Sequence, residues 1–166
     1  YQGGAIMEYP IHSVVMHITT GVCRIQDIQE KQFTEDQHQK YYVLQPIFEK
    51  GTTLFVPIEN DPVRIRPLLT KEAITELLHG LSAQEDEPWI HNQHQRTAHF
   101  KTILKNGNEQ EILSMLHMMQ KHRKLPIVEE RMRQTAKKLV EQEFSYVLGM
   151  KPETVPAWIR AQLQQG

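Results

Sequence analysis

The chain has 166 residues, of which 39% are hydrophobic and 23% are charged, and its formal net charge is −1. No apolar run approaches the ~20 residues that a membrane-spanning helix needs, and the single cysteine, Cys23, excludes an internal disulfide and a cysteine-rich zinc site. We therefore expect a cytoplasmic protein that does not span a membrane. The first residues do not resemble a signal peptide, so we expect residues 1–6 to be a cloning remnant ahead of a native Met7.

β-Branched and aromatic runs dominate the first part of the chain and predict five short strands. The runs cover residues 13–18, 22–28, 40–48, 52–57 and 63–67, with turns at Gly21 and Gly51 and a polar connection over residues 29–39. Strands this short and close together are typical of a small, strongly bent barrel of the Tudor or SH3 type. We predict such a barrel within a domain spanning residues 7–69.

After Leu69 the pattern changes, and apolar residues recur every three or four positions, which is typical of helices. The first predicted helix starts at a Thr70 cap and ends at Gly80, and the second covers residues 89–104. The third starts at an Asn108 cap, the fourth runs from Pro126 to residue 148, and the last covers residues 152–164. Residues 70–166 are thus predicted to form an all-α domain. The fold class is α+β, with a five-stranded barrel followed by a compact helical domain.

Basic residues are concentrated in the helical half. The segment from Arg96 to Lys138 contains ten Lys and Arg residues and four acidic residues, which gives it a local charge of +6. Such a patch can attract phosphate groups. A solvated helix face explains it equally well.

Several short motifs occur in an order that resembles the CarD/CdnL/TRCF family. In the first half they are Gly21-Val22, residues 41–44, Val56-Pro57 and Arg66-Pro67; in the second half they are Arg96, Gly107, Leu125-Pro126 and Glu129. The similarity extends over residues 14–148. It implies a free-standing regulator with a Tudor-like domain that binds the β subunit of bacterial RNA polymerase.

The resemblance also implies which residues meet the polymerase. Lys31 stands where the family has one basic contact residue, and Phe55 occupies the position of a second. Arg24, in the second predicted strand, joins them as a candidate. An apolar ring can contribute to an interface through buried area, but Phe55 is equally explained as part of the barrel core.

In that family the helical domain lies on promoter DNA at the upstream edge of the transcription bubble, where a tryptophan wedges into the minor groove. Here Gln93 stands at that position, and Trp89 precedes it by one helical turn. Trp89 is either the wedge or an anchor in the core. The implied DNA-binding residues are Arg96, Trp89, Gln93, Lys101, Lys124 and Arg131.

No motif for catalysis, for a cofactor or for a small-molecule substrate is evident, and His91, His94 and His99 lack the partners that a zinc site needs. We therefore expect a non-enzymatic transcription regulator that binds RNA polymerase and, without sequence specificity, promoter DNA, and that modulates open-complex stability. The alternative is an adaptor that docks on polymerase while its helical domain recruits a protein.

Overall fold

The structure, a computed structural model, describes residues 8–59, 63–85, 87–122 and 124–165. The expected remnant with Met7, together with Asp86 and with Arg123 of the basic patch, lies outside the described residues. The chain divides between Leu68 and Leu69 into two compact units, a sheet unit and a helical unit.

The sheet unit is a single antiparallel sheet of five strands in the order β4-β3-β2-β1-β5. The strands are β1 (Val14–His17), β2 (Gly21–Thr34), β3 (Gln37–Pro46), β4 (Leu54–Pro57) and β5 (Ile65–Pro67). Within the described residues, β4 and β5 are the two edges and do not pair with each other. The α+β class with five strands ahead of helices is confirmed, whereas the closed barrel is not.

The hairpin of β2 and β3 is longer than the sequence predicted. Residues 29–39 were expected to be a polar connection, but Gln29 pairs with Tyr41 and the ladder continues to Thr34 opposite Gln37. That prediction was wrong because backbone pairing needs no apolar alternation when both faces of a hairpin meet water. A bulge between Ile25 and Asp27 interrupts the pairing of β2 with β3 before this extension.

One face of the sheet carries its hydrophobic core. The buried residues Cys23, Ile25, Tyr42 and Leu44 of β2 and β3 pack with Val15, Val56, Ile58 and Ile65. The Tyr42 hydroxyl oxygen accepts a hydrogen bond from the backbone N–H of Tyr9 at 2.8 Å. On the other face Val22 and Val43 are also buried, whereas Phe55, the partner of Val43 on β4, is exposed.

The described residues of the helical unit form five α-helices and one short 3-10 helix. They are α1 (Lys71–Ala83), α2 (Gln93–Asn106), α3 (Glu109–Gln120), α4 (Ile127–Leu148), the 3-10 helix (Pro152–Thr154) and α5 (Val155–Gln164). The predicted caps are confirmed: the side chain of Thr70 accepts from the N–H of Ala73, and that of Asn108 accepts from the N–H of Glu111, both at 3.0 Å. None of the helices in the described part of the chain has the length and apolarity that a membrane crossing requires.

Two helix boundaries differ from prediction. Helix α1 continues through Gly80 to Ala83, because Leu81 packs against the helical core and outweighs the ~1 kcal/mol that glycine costs inside a helix. Helix α2 begins at Gln93 rather than at Trp89, because the Asn92 side chain caps it by accepting from the N–H of Gln95 at 2.9 Å. Trp89 is therefore not on α2.

The core of the helical unit is built from all five helices. Ile74 and Leu78 of α1, Phe100 of α2, Met115 and Met119 of α3, Phe144 of α4 and Val155 of α5 are at most 1% exposed. This cluster places Met115 and Met119 in the core, and not in an open groove.

Candidate functional site

The surface face of β2, β3 and β4 carries one cluster of exposed aromatic and cationic side chains. Lys31 of β2 is opposite Gln39, and Phe55 of β4 is opposite Val43, so that Lys31, Tyr41 and Phe55 share one face of the pleated sheet. The Lys31 ammonium lies 3.9 Å from the centroid of the Phe55 ring and 5.7 Å from that of Tyr41. We call these three residues the Lys31 patch.

The exposure of Phe55 distinguishes an interface residue from a residue of the barrel core. Its side chain is 45% exposed, so it does not belong to the core of the sheet. Holding an ammonium group over two rings contributes about 0.5–1 kcal/mol at an exposed site. The patch therefore presents a positive charge on a flat aromatic surface, and aromatic side chains are enriched in protein interfaces.

Arg24 lies outside the Lys31 patch. It is on the other side of the bulge that follows Ile25, and it is half-buried. Its guanidinium donates to the carbonyl oxygen of His12 at 2.9 Å. Arg24 thus holds the segment that leads into β1.

In the helical unit, Arg96 is the centre of a buried polar network. Its Nε and one terminal nitrogen donate to the two carboxylate oxygens of Glu129 at 2.6 and 3.0 Å, and the Thr97 hydroxyl donates to the same carboxylate at 3.0 Å. The other terminal nitrogen donates to the carbonyl oxygens of Ile90 and His91. The Arg96 side chain is 9% exposed and that of Glu129 is 0% exposed. Arg96 was a candidate for contacting DNA, but in this geometry its charge is paired and its side chain is buried.

Trp89 packs among three side chains just before α2. Its ring stacks on His122, with the centroids 3.5 Å apart and the planes 21° from parallel, and lies 4.7 Å from the Arg96 guanidinium carbon. Phe100 of the core is 6.0 Å away. Trp89 is half-buried and also lines a cavity of about 220 Å³ between the end of α1 and α3. The indole is both anchored to the core and open to the cavity.

A family model, CarD-like/TRCF RID domain, matches residues 9–69 of the chain. Residues 9–69 belong to the CarD-like/TRCF RID family. The matched region contains the whole five-stranded sheet and the Lys31 patch. No curated protein matched the chain.

The family identifies the general role of the sheet unit. RID domains interact with RNA polymerase, generally through its β subunit, and they are protein-interaction domains rather than catalytic ones. The match therefore connects residues 9–69 with transcription. The helical unit lies outside the residues matched to the RID family.

The remaining candidates for DNA contact lie on the surface of the helical unit. Gln93 and Lys101 on α2, Lys124 ahead of α4 and Arg131 on α4 are all exposed. The basic patch is smaller than its sequence suggested, since Arg96 is buried and Arg133 pairs with Glu130 at 2.6 Å. Four of the six sequence-predicted residues thus remain accessible to phosphates.

Sequence reasoning missed three partners of the predicted site residues. Tyr41, read only as a strand residue, completes the Lys31 patch; His122 stacks on Trp89; and Glu129, noted only as part of the long helix, neutralises Arg96. The alternation of β3 could have placed Tyr41 on the outer face. The pairs Trp89–His122 and Arg96–Glu129 are separated by 33 residues each, so local periodicity carries no signal for them.

Across the described residues, no group of three or more His, Cys, Asp or Glu side chains could hold a metal ion. The Cys23 thiol is buried, and burial, with Glu49 nearby, raises its pKa to about 12. A thiol with so little thiolate at neutral pH is a poor nucleophile.

Proposed function

We propose that this protein is a CarD-like transcription regulator whose RID domain docks on the β subunit of RNA polymerase while its helical unit contacts promoter DNA. The observation that carries the proposal is the RID match over the sheet that displays the Lys31 patch. The regulator would modulate the stability of the open complex without reading a base sequence.

The proposed docking surface is the Lys31 patch. Lys31 and Phe55 are the positions implied to meet the polymerase, and they are in contact. An ammonium group resting on aromatic rings is partly desolvated before binding, so it can pair with a carboxylate of the partner while the rings bury apolar area. Arg24, which is already bonded to the His12 carbonyl, is not assigned to this surface.

The proposed DNA contact is built around Trp89. Bidentate pairing with Glu129 fixes Arg96, and Arg96 in turn holds the carbonyl oxygens of Ile90 and His91, next to Trp89 in the chain. The indole therefore has a defined position from which it can pack against a base step. Aromatic contacts of this kind are worth about 1–3 kcal/mol per base.

The exposed cations would supply the remaining DNA affinity. Lys101, Lys124 and Arg131 can meet phosphates, and Gln93 can donate a neutral hydrogen bond. A few phosphate contacts bind weakly on their own and lose affinity steeply with salt. Anchoring to polymerase raises the effective concentration of this weak site, so modest basicity is sufficient.

The lifetime of polymerase–promoter open complexes tests this proposal. Wild-type protein should lengthen the lifetime, and Trp89→Ala should remove most of that effect, a change of about fivefold or more for a lost contact of at least 1 kcal/mol. Lys31→Glu should abolish it through loss of docking. Lys50→Glu is the matched control, because it makes the same charge change at an exposed residue of the sheet unit outside the Lys31 patch.

Binding to the isolated β subunit separates the two halves of the proposal. Trp89→Ala should bind β as wild type does, while Lys31→Glu should bind at least about tenfold more weakly. If wild-type protein binds β but leaves the lifetime unchanged, the DNA half is refuted and an adaptor role takes its place. If Lys31→Glu and Lys50→Glu bind alike, the Lys31 patch is not the docking surface.

A further inference from the structure

The helical unit also has a groove that Trp89 does not line, although the groove shares Leu81 and His117 with the cavity beside Trp89. It has a volume of about 210 Å³, and α1, α3, α4 and α5 all contribute to its lining. None of the nine residues considered for polymerase or DNA contact lines it. The proposed function therefore assigns no role to this groove.

The floor of the groove is apolar and belongs to surface positions of the helices. Leu81, Leu116, Ile159 and Leu163 line it and are only half-buried, although each packs against the helical core. On α5 the lining residues Pro156, Ile159, Arg160 and Leu163 are spaced as i, i+3, i+4 and i+7. A whole helix face is thus directed at the groove.

The rim of the groove is mainly cationic. Arg133, Lys137 and Arg160 line it together with one carboxylate, Glu141. Arg133 is engaged by Glu130, whereas Arg160 makes no ion pair with any residue that the structure describes. Burial raises the pKa of Glu141, although Lys137 acts in the opposite direction. Lys137 and Arg160 outnumber this one carboxylate. The rim thus complements a negatively charged partner.

The dimensions favour a peptide over a metabolite or a nucleic acid. Small-molecule sites usually enclose about 300–1,000 Å³, more than this groove provides. A phosphate backbone gains nothing from a floor of leucine and isoleucine side chains, since nucleic acid is bound by charge and by contacts to its bases. A helix that inserts a few apolar side chains and carries acidic residues beside them satisfies both the floor and the rim.

We propose that this groove binds an amphipathic helix of another protein, with apolar anchors on one face and acidic residues flanking them. Leu81, Leu116, Ile159 and Leu163 receive the anchors, and Lys137 and Arg160 meet the carboxylates. This inference does not rest on polymerase or DNA binding. It gives the helical unit a protein partner in addition to the proposed DNA contact.

A designed probe tests the groove in the full chain. The probe is a labelled peptide of about 14 residues, roughly four helical turns, with leucines at i, i+3 and i+7 and glutamates flanking them. Its control carries lysines in place of the glutamates. Fluorescence anisotropy should show at least about tenfold tighter binding of the glutamate peptide. Methyl NMR shifts should concentrate at Leu116, Ile159 and Leu163.

Charge reversal at the rim supplies the decisive comparison. Lys137→Glu combined with Arg160→Glu should weaken binding of the glutamate peptide about tenfold. Lys71→Glu, at an exposed position in the first turn of α1 and away from the groove, should change it less than about twofold. Both changes are at surface side chains, and circular dichroism checks that the variants are folded.

Three results would overturn the proposal. The first is that neither peptide binds, or that both bind equally. The second is that the rim variant binds the glutamate peptide as wild type does. The third is a dimer in sedimentation experiments that the rim variant disrupts, which would show that a second copy of the chain occupies the groove.

Discussion

Arg96 and Glu129 are a buried ion pair that stabilises the fold only when both partners are present. The pair is bidentate, and the Glu129 side chain has no exposed surface. Removing one partner from such a pair costs about 3–5 kcal/mol, because the remaining charge is left buried without compensation. Arg96 also donates to the two carbonyl groups that follow Trp89, so the pair fixes the chain next to the indole.

We expect Glu129→Gln to lower the free energy of unfolding by about 3 kcal/mol in urea denaturation. Glu130→Gln is the matched control, because Glu130 is the next residue on α4 and also pairs with an arginine. That pair is partly solvent-exposed and should contribute little to the free energy of unfolding. Replacing Arg96 by Met in the Glu129→Gln background should recover part of the loss. Equal effects of Glu129→Gln and Glu130→Gln would contradict the buried-pair interpretation.

At the scale of elements, local chemistry predicted more than long-range pairing did. The caps at Thr70 and Asn108 could be predicted from the sequence because an N-cap depends only on residues within one turn. Asn92 carried the same signal, but the apolar side chain of Trp89 suggested an earlier start for α2. The polar extension of the β2–β3 hairpin could not be predicted from the sequence, because backbone pairing holds its strands together and its residues have no apolar pattern.

The turn between β1 and β2 depends on an uncharged histidine. Nδ1 of His17 accepts hydrogen bonds from the backbone N–H groups of Thr19 at 3.4 Å and Thr20 at 3.2 Å. Burial, and secondarily the charge of Arg64, lowers the pKa of His17 below the ordinary value of 6.5. The unfolded chain therefore binds the proton first as the pH falls, and stability that is present above pH 6.5 is lost below it.

We expect the midpoint of urea unfolding of the sheet unit to decrease between pH 7 and pH 5, the range of histidine titration. His17→Gln keeps a side-chain acceptor that does not titrate, so it should reduce this pH dependence. His38→Gln is the control, because His38 is exposed at the end of the β2–β3 hairpin, where it pairs with Glu30. If both variants retain the wild-type pH dependence, protonation of His17 is not its cause.

At the scale of the whole molecule, the two units have separate hydrophobic cores with different titrating groups. In the sheet unit burial raises the pKa of Cys23 to about 12 and also raises those of Tyr42 and Tyr9 above their ordinary values. In the helical unit burial raises the pKa of Glu141, a carboxyl that titrates in acid. Among the described residues, the groups with a raised pKa in the alkaline range thus lie in the sheet unit, and alkaline pH should act mainly there.

For each of these three acids the folded pKa is above the unfolded one, so stability is complete at neutral pH and declines as the pH rises past about 9. We expect Cys23 alone to account for a loss of about 1 kcal/mol in the sheet unit by pH 10. Methyl NMR of Val15 and Leu44 in urea reports the sheet unit, while tryptophan fluorescence reports the helical unit, which holds both tryptophans. Cys23→Ala lacks the thiol, and its sheet unit should lose less stability over the same range. A parallel loss in both reporters would show that the two units unfold as one cooperative body, and an unchanged sheet signal would contradict the raised pKa of Cys23.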